Sequence, residues 1–124
     1  CLRITKMPTQ YGALHLLIKF SGSRNPVSRR TGASTEDVTA DEAQAELGRY
    51  KAKIEEAGAT KEAFAKYATE RSDCGSYKQG GDLGVFGPGD MQKQFEEGTA
   101  STPVGGMSGI ILSDSGYHII FRYL

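Results

Sequence analysis

With 124 residues the chain fits a single domain, and its 38% hydrophobic content supports an ordinary core. Its 15 basic and 15 acidic side chains cancel, yet residues 1–35 hold six bases (Arg3, Lys6, Lys19, Arg24, Arg29, Arg30) and no acid. One end is therefore built to meet anions. No apolar run approaches the ~18 residues needed to cross a bilayer, which excludes a membrane helix. No apolar leader follows the first basic residues either. Two cysteines, one of them at position 1, fit a reducing intracellular compartment better than a disulfide framework.

Residues 1–10 read as a flexible segment. Tyr11 to Phe20 alternate as a strand, with Leu14, Leu16, Ile18 and Phe20 on the packed face and His15, Leu17 and Lys19 on the other. Residues 21–38 form a long loop rich in Ser, Arg, Thr and Gly, a length that marks function or disorder. Thr39 and Glu42 make a capping box. Ala43, Leu47, Tyr50, Ile54 and Ala57 then repeat at helical spacing until Gly58. Thr60 caps a second helix that carries Phe64, Tyr67 and Ala68 inward and runs out near Ser72. Six glycines in residues 75–89 leave turns around one short strand, Asp82–Phe86, and Gly87-Pro88-Gly89-Asp90 is a tight turn. A short helix over Gln92–Ser101 precedes a hairpin of Met107–Leu112 and Tyr117–Leu124 around Ser113–Gly116. The order predicts an α+β domain, an antiparallel sheet covered by helices.

The chemistry concentrates in two stretches, Ser72–Phe86 and Met91–Phe95. They hold a thiol, a glycine-rich turn entering a strand, and a Met and a Phe one helical turn apart. Such a layout makes a small apolar pocket with sulfur at its rim, a better fit for a proline ring than for a sugar or a nucleotide. Taken alone, Cys74 reads as a small buried hydrophobe, Met91 and Phe95 as core, and His15 and His118 as satisfied core histidines. No set of ligands at metal spacing accompanies the two histidines, so no metal is expected. Asp73, next to Cys74, is expected to disfavour a thiolate.

Five segments in order resemble the parvulin prolyl isomerases. They are Leu14-His15-Leu16-Leu17-Ile18-Lys19, Ser72-Asp73-Cys74, Gly80-Gly81-Asp82-Leu83-Gly84-Val85-Phe86, Gly89-Asp90-Met91-Gln92-Lys93-Gln94-Phe95 and Asp114-Ser115-Gly116-Tyr117-His118-Ile119-Ile120. The basic loop after Lys19 is similar to that of the Pin-type branch, which prefers phosphoserine- or phosphothreonine-proline. The resemblance implies a flattened half-barrel of four antiparallel strands surrounded by about four helices, the third near Ser76–Gln79. It spans residues 11–124 in a form without a WW module. It also implies roles. His15, Cys74, Ser113, Ser115 and His118 form the catalytic group, with Ser115 and Ser113 as hydroxyl partners of the histidines. Lys19, Arg24, Arg29 and Arg30 are the phosphate ligands, although Asn25 stands where the pattern has a second arginine. Leu83, Met91, Gln92 and Phe95 form the proline pocket, with the Gln92 amide offered to the substrate backbone. No cofactor is needed. Proline-containing phosphoproteins are the expected partners, and the form a monomer of the cytoplasm or nucleus.

Two other readings follow from the same residues. One keeps the fold as a general folding helper without phosphate preference. The other is a noncatalytic module that holds nucleic acid or acidic proteins with its basic end. It lacks interleaved aromatics, since residues 23–37 contain none.

Overall fold

The computed structural model describes residues 10–124, so the segment expected to be flexible lies, but for Gln10, outside the described residues. The elements are β1 (Tyr11–Ile18), α1 (Ala40–Glu56), α2 (Lys61–Arg71), a 3-10 turn (Gly75–Gln79), β2 (Asp82–Phe86), α3 (Lys93–Ala100), β3 (Ile111–Ser113) and β4 (Gly116–Arg122). The strands form one antiparallel sheet in the order β2-β1-β4-β3. The expected α+β plan holds, with three α-helices; the fourth helix is the single 3-10 turn.

Both helix starts form as their caps dictate. Thr39 and Glu42 exchange side-chain and backbone hydrogen bonds at the head of α1, and Thr60 accepts from the Ala63 N–H at the head of α2. At the end of α1 the Ala59 N–H reaches the Ile54 carbonyl and the Gly58 N–H reaches that of Glu55. Gly58 sits at φ 100°, the left-handed turn that such a terminus needs.

β1 is buried at every residue after Tyr11, because helices cover both of its faces. Leu14, Leu16, Ile18, Ile119 and Phe121 pack with Ala43, Leu47, Ile54, Phe64 and Ala68 of α1 and α2. On the opposite face Ala13 and Ile120 join Phe86 and Phe95, which brings α3 over the sheet. β1 stops two residues before the expected Phe20. There the Lys19 N–H turns to Asp73 Oδ2 and the Phe20 N–H to Ser23 Oγ, so the ladder has no donors left. β3 is likewise shorter than expected and extends through Ser113. Met107 makes only an isolated bridge to Phe121, since the Ile120 N–H beside it goes to the Ser108 hydroxyl and not to a backbone carbonyl. Gly81, at φ 84°, runs so close to the His15 carbonyl and to Ala68 that no side chain fits there. Its carbonyl accepts the His15 N–H at 2.9 Å, which fixes the strand at the site.

Candidate active site

β1 and β4 are central neighbours, and their register sets Leu17 opposite His118 and His15 opposite Ile120. The two histidines thereby project from the α3 face of the sheet with rings 5.1 Å apart and nearly parallel. Their Nδ1 atoms are 2.9 Å apart, so one must donate to the other. His118 Nε2 meets Ser113 Oγ at 2.6 Å, and His15 Nε2 meets Ser76 Oγ at 3.2 Å. Ser113, His118, His15 and Ser76 form one continuous chain. Ser113 already accepts the Ser115 N–H at 3.2 Å, so its own proton can go to His118. His118 then donates to His15 and His15 to Ser76. When His15 carries two protons the direction between the rings reverses. Burial first, and the charge of His15 second, hold the His118 imidazole well below its ordinary value, so His118 stays neutral.

The ring edges lie against Phe95, whose centroid is 5.4 Å from His15 and 5.2 Å from His118, both edge to face. Phe95 and Met91 close a pocket of about 180 Å³ lined by His15, Cys74, Leu83, Met91, Gln92, Phe95, Ser113, Ser115 and His118. All four residues expected in an apolar pocket are present. Phe95 is both pocket wall and core, being 4% exposed, so the two readings of the Met–Phe pair coincide at this residue.

A second cavity of about 140 Å³ adjoins the first. It is lined by Leu17, Lys19, Arg24, Asn25, Arg29, Cys74 and Ser115. Cys74 and Ser115 border both chambers. Lys19 is only 5% exposed, and its Nζ donates to the carbonyls of Asn25 (2.9 Å) and Val27 (2.8 Å). Burial, then the neighbouring Arg29, lowers the Lys19 ammonium below its ordinary value. Lys19 therefore braces the loop, while Arg24 and Arg29 are its exposed cations.

Four expectations change in detail. Ser115 does not bond a histidine; its hydroxyl accepts Gln92 Nε2 at 3.2 Å, because the β3–β4 turn swings it toward α3. The Gln92 amide is occupied at both ends, its Oε1 accepting the Asp114 N–H at 2.9 Å, so it ties α3 to the turn rather than standing free. Arg30 does not line the cationic cavity, and its buried Nε has no hydrogen-bond partner among the described residues. Asp73 does not oppose a thiolate at Cys74. Its carboxylate is turned away to Arg71 and to the Lys19 N–H. Burial pushes the Cys74 thiol up, but His15 and then Ser76 outweigh burial and bring it down to about 6. Ser76 is the member of the histidine chain that the sequence did not single out.

A family model described as Rotamase, PPIC-type PPIASE domain, matches residues 15–122. The chain belongs to this family of peptidyl-prolyl cis-trans isomerases, and its fold is that of the parvulins. Within the family its relatives are of the Pin1 and ESS1 type. It is 43% identical to Peptidyl-prolyl cis-trans isomerase Pin1 of Arabidopsis thaliana, over 91% of this chain and 94% of that protein. It is 42% identical to Peptidyl-prolyl cis-trans isomerase ESS1 of Saccharomyces cerevisiae, over 93% of this chain and 66% of the yeast protein. The solution structure of TbPIN1 superposes with a TM-score of 0.82 at 50% identity, covering 95% of this chain and 100% of that one.

Proposed function

We propose that residues 11–124 form the catalytic unit and turn Xaa-Pro bonds in proteins, preferring phosphoserine- or phosphothreonine-proline. The observation that carries the preference is the shared wall: an apolar chamber and a cationic chamber meet at Cys74 and Ser115. A proline ring against Leu83, Met91 and Phe95 sets the preceding residue beside Arg24 and Arg29. Guanidinium groups suit a phosphate dianion.

The amide before proline rotates over a barrier of ~18–20 kcal/mol, and uncatalysed exchange takes ~10–100 s. A 10⁵-fold acceleration needs roughly 7 kcal/mol of transition-state stabilisation. No bond has to break. Twisting removes amide resonance, so the carbonyl loses charge separation, and a chamber of low polarity favours that state over the planar amide. Holding the ring on one side and the phosphate on the other lets binding energy favour the twisted geometry. The neutral His118, the His15–Ser76 pair and Cys74 set the field around the rotating group. The role of Cys74 is noncovalent, a polarisable wall.

Clients are proline-containing phosphoproteins, met by a monomer in the cytoplasm or nucleus. Among the described residues no helix is long and apolar enough to cross a membrane. One feature favours a weaker preference: Lys19 commits two of its three N–H donors to carbonyls and Asn25 supplies no charge, which leaves the anion chiefly to Arg24 and Arg29. Exchange spectroscopy by NMR on one peptide, with and without phosphate on the serine before proline, decides between the readings. Faster exchange of the phosphorylated form is expected; equal rates return the domain to a general folding helper.

A further inference from the structure

The cations of the second chamber ride on residues 19–30, and one buried residue holds that stretch at two points. Asp73 is 2% exposed. Its Oδ2 accepts the Lys19 N–H at 2.9 Å, and its backbone carbonyl accepts the Arg29 N–H at 2.8 Å. Lys19 passes the hold on through Asn25 and Val27, whose carbonyls its Nζ binds. Arg24 is tied from the other side, its N–H donating to the Asp114 carbonyl at 2.7 Å. The second Asp73 oxygen, Oδ1, accepts Arg71 Nη1 at 2.9 Å. Arg71 in turn grips Glu46 of α1 with two parallel bonds, Nε to Oε2 at 2.6 Å and Nη2 to Oε1 at 2.9 Å. A bidentate grip fixes the plane of the guanidinium, so its third nitrogen is aimed at Asp73.

We infer that Arg71, clamped by Glu46, is a positioning residue for anion recognition, keeping the Asp73 carboxylate aimed at Lys19 so that Arg24 and Arg29 stay around the second chamber. The inference rests on the phosphate reading above for its consequence, but not for its geometry. A carboxylate this buried is costly to leave without a cation. Stripped of Arg71, the Asp73 carboxylate loses the partner that fixes its plane and turns toward water, which weakens the bond to the Lys19 amide. The loop then loosens at the strand end from which Lys19, Asn25 and Val27 hang. The apolar chamber is untouched, because Arg71 and Glu46 lie outside it. The Glu46 carboxyl is held below its ordinary range, first of all by its hydrogen bond with Arg71, which keeps the clamp charged near neutral pH.

The test is Arg71→Met, with Arg71→Lys as the conservative partner. On a phosphoserine-proline peptide kcat/KM should fall about tenfold, chiefly through KM, while the unphosphorylated peptide should change by less than about twofold. Amide hydrogen exchange at Lys19 and Arg29 should speed up, while Leu16 and Ile119 keep their protection. Arg71→Lys, which keeps the charge without the fork, should recover part of both effects. Glu46→Gln loosens only the clamp, and gives a smaller change of the same kind if Arg71→Met does not fold. Equal losses on both peptides would mean that Arg71 merely stabilises the fold, and unchanged exchange at Lys19 and Arg29 would overturn the inference outright. A parent enzyme that treats both peptides alike instead refutes the phosphate reading, and exchange at the two amides then decides alone whether Arg71 holds the loop.

Discussion

Ser113→Ala cuts the histidine chain at one end. Ser113 is 6% exposed and His118 3%, so both groups are largely withdrawn from bulk water although they border the apolar chamber. The substitution removes the 2.6 Å contact to His118 Nε2 and strands the Ser115 N–H that Ser113 had accepted. A buried nitrogen left without a partner costs ~1–3 kcal/mol, and an ordinary hydrogen bond adds ~1 kcal/mol. The fold should lose about 2–4 kcal/mol, which in a domain of this size lowers Tm by roughly 8–16 °C. Thermal melting measures this, and nitrogen-15 spectra of the imidazoles report where the ring protons sit. Ser113→Thr, which keeps a hydroxyl, should melt near the parent. Isomerisation should slow by a similar factor on phosphorylated and plain peptides, because the chain serves the rotating bond and not the charge. Melting within about 2 °C of the parent, together with unchanged ring signals, would refute the idea that Ser113 sets the protonation of the pair.

Met91→Ala and Phe95→Ala should separate pocket from core. Phe95→Ala opens a cavity beside Phe86 and both imidazoles and should cost ~3–5 kcal/mol in urea titration, whereas half-buried Met91→Ala should cost under ~2 kcal/mol and act mainly on KM. Equal stability losses would contradict the division. Cys74→Asp should keep turnover well above the spontaneous rate, as a noncovalent wall requires; loss of all catalysis in a folded variant would point to a covalent role. The pH dependence of stability has a definite sign. A thiol lowered to about 6 in the folded chain, against ~8.5 unfolded, contributes stability that is full above the unfolded value and is lost as pH falls through 6. His118, held neutral, adds a loss as pH falls below its ordinary ~6.5. Urea midpoints should therefore drop from pH 8.5 to 5 (~3.5 units, spanning both values), and Cys74→Ala should flatten the part above pH 6; an unchanged slope in the variant would contradict the thiolate.

Local chemistry was legible wherever it acts over a few residues. The Thr39–Glu42 box, the Thr60 cap, the strand Asp82–Phe86 and the alternation that sets His15 apart from Leu14 and Leu16 all depend on neighbours in sequence. The pocket set of Leu83, Met91 and Phe95 was legible through the resemblance; helical spacing alone does not place it, since α3 starts at Lys93 and Met91 precedes the helix. What escaped depends on contacts made across the fold. Ser76 reaches His15 across 61 positions, and nothing in its own surroundings marks that hydroxyl among many. Arg30 follows Arg29 directly, yet only Arg29 lines the cavity; a loop has no period from which to read direction. Gln92 and Ser115 bond each other across 23 positions, a pairing that neither residue's own surroundings announce. The Glu46–Arg71–Asp73 relay needs α1 and α2 to be packed before its charges can be seen as one group.

The partition formed by Cys74 and Ser115 also bears on how the domain could be blocked. Each chamber by itself is a poor target, one small and greasy, the other small and cationic. A planar ring fragment and an anionic fragment found separately could be joined by a short tether over the sulfur. The second group would then dock at a high effective concentration, limited mainly by how well the tether spans the partition.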